Sequence, residues 1–325
     1  MKPFQNIPLD ASSQPVVEDW MFDEFRDIRR RVWSEATRGE RENQRKLREM
    51  VVGLSNTAKL DVWRTNDLEV RAELWRQITE KIFYAGFDAA KVNASLEDIH
   101  RTFGHYQSLC SHDWDVRLNG RRLSPDSGRL VLDYFEDGCQ GCQKKIRHPL
   151  KVRKTVTVAR FFTEYFEKHP EAIALSFVTQ EVESDDVWLL SDNLAAVGLT
   201  GQLTQLHLMM DVGFNCIKPD IVISRLVLEK GWLAHSSDGL PADLTEADLR
   251  GKGKYRSKFH YTNSVVIKPI VNLARAFATK MQEERETLEK DIGWVSDNLI
   301  REFDIFMVSY GQRPDSSVGI MIRLG

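Results

Sequence analysis

Apolar residues recur at helical spacing in one stretch of this chain after another, and nowhere do they alternate over a run long enough to make a convincing strand. From about Trp20, Phe22, Phe25, Ile28 and Val32 form one stripe beside Arg26, Arg29, Arg30 and Arg31. Between Leu68 and Phe83 a second stripe, Val70, Leu74, Ile78 and Ile82, predicts a buried helix that Gly86 ends. Residues 92–103 place Ser95 three positions before Asp98, a capping-box-like start to a short helix. Helical patterns return at 156–168, 186–197, 202–212 and 221–230, and two last helices are expected at about 264–289 and 295–310. With no internal repeat, the expected fold class is mostly α.

The segments between these patterns are long and polar. Residues 1–14 read as a loose tail. From Leu118 to Lys154 the periodicity fades: LNGRRLSPDSGR is turn chemistry and GCQGCQKKIRHPLKVRK a basic loop. A second polar loop, His235 to Lys258, holds Arg250, Lys252, Lys254, Arg256 and Lys258. These runs, and the basic stretch Arg38 to Arg48, read either as solvated faces or as surfaces for a polyanion.

Composition removes several classes. The chain has 325 residues, 42% of them hydrophobic, enough for one large domain or two modest ones. Eight Trp, seven Tyr and sixteen Phe exclude a solvated coil. No apolar run reaches the length of a membrane span, and MKPFQNIPLDASSQ has no apolar core of a signal peptide. Four cysteines in this length make no disulfide framework and point to a reducing cytoplasm. The net charge of −3 gives no global attraction to nucleic acid, although only local charge must face phosphates. Cys139 and Cys142 have metal-ligand spacing, with His148, Cys110 and His112 in the neighbourhood, but a closed zinc site wants two such pairs. A plain loop is expected there and no metal. Cys216 reads as a small buried residue.

Residues 186–232 carry the most chemistry. They read as helix, a Gly-flanked turn (Val197 to Thr200, then Gly201), helix, the short crossing GFNCIKP, and helix. A short turn aims the second helix's unpaired first-turn N–H groups outward, where the helix dipole adds partial positive charge. A DNA phosphate suits such a place; an ordinary αα-hairpin is the other reading. Asp220 opens the third helix directly after Pro219, with Arg225 one turn on. That carboxylate reads as an N-cap or as a catalyst.

This arrangement resembles the helix-hairpin-helix DNA glycosylases, the superfamily of endonuclease III, the adenine mismatch glycosylase and the alkyl-adenine enzymes. Their L-P-G-V-G-(K/R)-x-T-A, apolar helix, Gly, V-D-T-H-V-x-R-V becomes here A-V-G-L-T-G-Q-L-T, apolar helix, Gly213, P-D-I-V-I-S-R-L. IREFDIFMVSYGQ (300–312) resembles the superfamily's late helix, and LWRQITEKIFYAGFDAAKV (74–92) its early helix and turn. The resemblance implies a two-lobed helical glycosylase fold with long loop insertions. Residues 1–69 would be an N-terminal helical extension packing with 264–325. Residues 70–232 would be a helical barrel lobe holding the helix-hairpin-helix at 187–213, and 233–263 a basic loop.

The roles it implies are specific. Asp220 would stabilise the sugar cation and orient or deprotonate the attacking water. Gly198, Thr200, Gly201 and Gln202 would contact the DNA backbone, joined by Lys254 and Arg256 from the basic loop. Phe83 and Tyr84 would line the base pocket or wedge into the duplex, core packing being the alternative. Three departures matter. Gln202 stands where bifunctional members carry a Schiff-base Lys, so base excision without strand cleavage follows. Thr200 replaces the hairpin's second Gly, with Gly201 displaced by one. RPDSSVGIMIRLG lacks the cluster cysteines, so no iron–sulfur centre and no cofactor are expected.

The function implied is a monofunctional glycosylase that flips a modified or damaged base out of double-stranded DNA, hydrolyses its N-glycosidic bond and leaves an abasic site. The base would be a hypermodified phage base in antiviral defence, or an alkylated or deaminated base in housekeeping repair. A non-catalytic helix-hairpin-helix DNA-binding protein is the alternative, and lyase chemistry through Lys218 a weaker third. No membrane or protein partner is implied.

Overall fold

The structure is a computed structural model that describes residues 15–38, 41–51, 56–85, 92–102, 116–118, 121–123, 149–180, 182, 186–236, 241 and 243–312. It is mostly helical. The described helices are α1 (Asp19–Arg38), α2 (Arg41–Val51), α3 (Asn56–Val62), α4 (Leu68–Tyr84), α5 (Leu96–Thr102), α6 (Pro149–Lys168), α7 (Ala174–Thr179), α8 (Val187–Ala196), α9 (Gln202–Val212), α10 (Ile221–Glu229), α11 (Trp232–Ser236), α12 (Glu246–Leu249), α13 (Ser264–Glu283), α14 (Arg285–Ile292) and α15 (Leu299–Gly311). The described strands are β1 (Val116–Leu118) and β2 (Arg121–Leu123), antiparallel with Leu118 opposite Arg121. Asn119-Gly120, the dipeptide favoured in tight hairpins, lies between them in sequence.

The chain divides into two compact units: one runs from Ala58 to Val212, and the other joins the segment up to Thr57 with the chain from Gly213 onward. In the first unit, α4 packs against α6, α7 and α9, and α8 against α7 and α9. Its centre is aromatic: the ring centroids of Phe162 lie 4.8 Å from those of both Phe166 and Phe177, with Trp75 6.0 Å away. The Arg71 guanidinium lies 4.2 Å above the Phe166 ring and donates to the carbonyls of Pro170 (2.6 Å) and Ala172 (2.7 Å), fastening the α6–α7 turn to α4.

In the second unit, α15 packs against α1, α2, α10 and α13. Phe303 is its hub, 5.3 Å from Phe25 and 4.9 Å from Phe277, whose other side meets Trp232 at 4.9 Å. The expected stripe of α1 is the buried one: Phe22, Phe25, Ile28 and Val32 all face the interior.

Three expectations are corrected. The basic loop that was to run to Lys154 gives way to helix at Pro149, because proline fits the first helical position, where its missing N–H costs nothing. The single helix expected at 264–289 is two: Glu284 leaves helical geometry at φ −99°, ψ 22° and separates α13 from α14. The polar loop after His235 contains α12, which Thr245 and Asp248 close with a reciprocal capping box.

Candidate functional site

The hairpin belongs to the first unit. Asp186 caps α8, its carboxylate accepting from the Trp188 (2.9 Å) and Leu189 (3.4 Å) amides. At the far end Gly198 takes φ +90°, and a Cβ there would stand 3.2 Å from the Thr157 methyl of α6. Leu199 then folds back, its N–H donating to Leu194 O at 2.9 Å, and its side chain is fully buried. The buried Gln205 side chain fixes the turn: it accepts from Ser191 Oγ (2.5 Å) and donates to Leu199 O (2.6 Å).

Of Thr200 and Gly201 it is Gly201 that adopts the left-handed geometry, with φ +105°. The displaced glycine thus follows the backbone. Thr204 and Gln205 donate to Gly201 O at 2.9 and 3.1 Å and are the first amides of α9 to find that acceptor. Gly198, Thr200, Gly201 and Gln202 are therefore gathered in one turn, with Thr200 and Gly201 exposed. Lys154 of α6 joins them, its Nζ donating to Thr200 O, and burial lowers its pKa.

Phe83 and Tyr84 end α4 in the same unit. Phe83 is 4% exposed, so its ring is interior packing. Tyr84 is half-buried, its hydroxyl donates to Asn93 Oδ1, and burial followed by the Glu80 charge raises its pKa. Lys151 Nζ collects the carbonyls that end α4, those of Ile82 (3.0 Å), Phe83 (2.5 Å) and Ala85 (2.6 Å).

Asp220 belongs to the second unit. The crossing before it is buried at Phe214, Cys216 and Ile217, with Gly213 at φ +117°. Asp220 is extended, at φ −77° and ψ −177°, and caps α10: Oδ1 accepts from the amides of Val222 (2.8 Å) and Ile223 (3.1 Å). Its Oδ2 makes no hydrogen bond among the described residues. Arg225, one turn into α10, donates from Nη2 to Gly311 O at 2.5 Å and tethers α10 to the end of α15. A Cβ on Gly311 would lie 2.5 Å from Val222 Cγ1, which is why the late helix ends in glycine here.

One carboxylate that feels the charge of Asp220 was missed by motif reading. Asp304 of α15 is 5% exposed and ion-paired with Arg301. Burial pushes its pKa up to about 6; Arg301 opposes that shift, the Asp220 charge adds to it and Lys218 opposes it. The signal in sequence is an acid set inside the apolar run Phe303, Ile305, Phe306 and Met307, a place where carboxylates are rarely left without purpose.

Lys254 and Arg256 are exposed, also in the second unit. Lys254 is engaged with Asp243 (3.2 Å) and the Tyr255 hydroxyl (2.8 Å), and Arg250 with Glu246 (2.6 Å). Asp248 organises the segment, accepting from Thr245 N (3.0 Å), Thr245 Oγ1 (2.7 Å) and Tyr255 N (2.5 Å). Among the described residues no group of His, Cys, Asp and Glu is placed to hold a metal ion; Cys110, His112, Cys139, Cys142 and His148 lie outside them. No described helix is long and apolar enough to cross a membrane. Comparisons with models of protein families, with characterised proteins and with solved structures found no match.

Proposed function

We propose that the protein is a monofunctional DNA glycosylase of two-lobed, helix-hairpin-helix type, acting in the cytoplasm on double-stranded DNA that carries a modified base. The observation that carries the reading is the state of Asp220. One carboxylate oxygen is spent on two helix amides, which fix its direction, and the other is left for chemistry. Leaving of the base from C1′ builds positive charge on the sugar, which a fixed carboxylate stabilises without reorganising. The same oxygen can accept the proton of a water whose oxygen bonds to C1′ as the glycosidic C–N bond breaks and its electrons leave with the base. Gln202 supplies no amine, so the product is an intact strand with an abasic site.

The hairpin supports the binding half of the proposal. The first turn of α9, with Gly198, Thr200, Gly201 and Gln202, presents helix amides to a phosphate, and Lys154 adds positive charge at Thr200. Lys254 and Arg256 are further phosphate contacts in the proposal, and Tyr84 is its better candidate for touching a flipped base, Phe83 being interior. A non-catalytic helix-hairpin-helix protein is the second reading, favoured by the two amides that Asp220 already caps.

Base release measured by mass spectrometry separates them. The protein and its Asp220→Asn variant are incubated with DNAs carrying normal, alkylated, deaminated and hypermodified bases. A base released by the unmutated protein alone, with abasic strands left whole, supports the enzyme and names its substrate as a repair or a defence target. Binding without release from any DNA supports the second reading.

A further inference from the structure

Asp220 does not stand as an isolated acid. Residue Gly311 of α15 abuts Val222 at the start of α10, and Arg225 binds the Gly311 carbonyl. This docking leaves Asp304, two turns earlier on α15, close enough to the crossing for the charges of Asp220 and Lys218 both to act on it. Arg301 pairs with Asp304, and the charges of Asp220 and Lys218, both at the entry to α10, bear on the same carboxylate. Among the other helices packed against α15, α1 brings Arg29, which Glu302 takes, and α13 brings the buried Arg275. Asp304 is nine-tenths hidden from water, yet its helix could have carried leucine at that position with less cost.

We propose that Asp304 is the second carboxylate of the Asp220 site, a positioning residue whose own proton sets how much negative charge that site presents. The inference rests on reading Asp220 as the working carboxylate. Like charges cannot both ionise freely where water is scarce, and burial holds the proton on Asp304 more tightly than on an ordinary aspartate. When Asp304 loses its proton, a second negative charge acts on the sugar cation from within the low-dielectric interior, and hydrolysis quickens.

Two readouts test this. Carboxyl-carbon NMR of the full chain labelled at aspartate follows each titration. A resonance with its midpoint near 6 is expected, absent from Asp304→Asn and moved down by about half a unit or more in Asp220→Asn. A midpoint that ignores Asp220→Asn overturns the proposal, as does an Asp304 that titrates like an exposed acid. That arm needs no substrate, so it stands even where the protein releases no base and the glycosylase reading fails. Where base release occurs, its rate is expected to rise through the same midpoint in the unmutated protein and to be flat there in Asp304→Asn. A rise that persists in Asp304→Asn denies the residue this role.

Discussion

Arg29 and Glu302, 273 residues apart in the chain, form an ion pair with Nε 2.5 Å from Oε1 and neither side chain reaching solvent. The guanidinium also donates to Leu288 O (2.6 Å) and Trp294 O (2.5 Å), while Glu302 Oε2 accepts from Ser296 N (2.7 Å). One charged pair therefore fastens α1 to the end of α14, to the connection after it and to α15. Burial lowers the pKa of Arg29 and raises that of Glu302, the usual cost of keeping ions out of water. Removing one partner strands the other. Arg29→Met is expected to lose about 3–5 kcal/mol in urea unfolding at neutral pH. Adding Glu302→Leu should recover a large part of that loss; a double variant no better than the single one would show that the carbonyl contacts, not the charge pair, matter.

Gly311 offers a purely steric test. Its missing Cβ is what lets α15 end against Val222, so Gly311→Ala should cost about 1–3 kcal/mol. Trimming the neighbour with Val222→Ala in the same chain should return part of it, and a double-mutant cycle in denaturant reads the coupling. Strict additivity of the two changes would contradict the contact.

The apolar stripes made α1 and α4 legible together with the face they bury, and helical patterns placed α9, α10 and α15 without naming a face. The short helices α3, α7 and α12 show no such pattern, because a turn or two of helix is stabilised by caps and neighbours rather than by a periodic face. The α13–α14 break was hidden since Glu284 is as good a helix former as its neighbours. At the candidate site, Asp220 and the hairpin glycines stood out because turns and caps have local chemistry. Asp304 and Lys154 did not, because what makes them notable is the tertiary neighbour each one meets, Asp220 for the first and the Thr200 carbonyl for the second.

Gly201→Ala places a side chain at φ +105° with ordinary contacts to Thr204 Oγ1 at 3.5 Å and Lys154 Nζ at 4.0 Å. The cost is backbone strain of about 1–2 kcal/mol rather than a clash, and the turn has to rearrange. The expected result is a folded protein with weaker affinity for duplex DNA, measured by fluorescence anisotropy across a salt series. Lys154→Ala should weaken binding too and flatten the salt dependence by about one counterion. Unchanged affinity and slope in both variants would remove the hairpin from the interface.

Asp220 separates structure from chemistry by the choice of replacement. Asparagine can still accept from Val222 N and Ile223 N, whereas alanine leaves both amides without the cap at about 1 kcal/mol. Thermal unfolding should rank Asn near the unmutated protein and Ala below it. Base release should fall at least about a hundredfold in both, since neither carries the charge. Activity that survives in Asn and falls only in Ala would make Asp220 a cap and nothing more.

Asp304 makes stability depend on pH in a direction opposite to that of most carboxylates. Its folded pKa is raised to about 6, while an unfolded aspartate loses its proton near 3.9. The folded state holds that proton more tightly, so the contribution is fully present below about pH 4 and is lost as pH rises through 6. The loss amounts to about 3 kcal/mol, an order-of-magnitude figure, and persists at neutral pH. Asp304→Asn cannot ionise and escapes it, at the expense of a contact to the partly exposed Arg301 worth about 1 kcal/mol or less. The variant should therefore unfold at higher denaturant than the unmutated protein at pH 7.5 and lose that advantage by pH 4. Glu302 shifts in the same direction but is common to both chains, so the difference between their pH profiles isolates Asp304. A difference that stays constant from pH 4 to 7.5 would mean that Asp304 loses its proton in the fold as readily as in the unfolded chain, and that neither burial nor Asp220 raises its pKa.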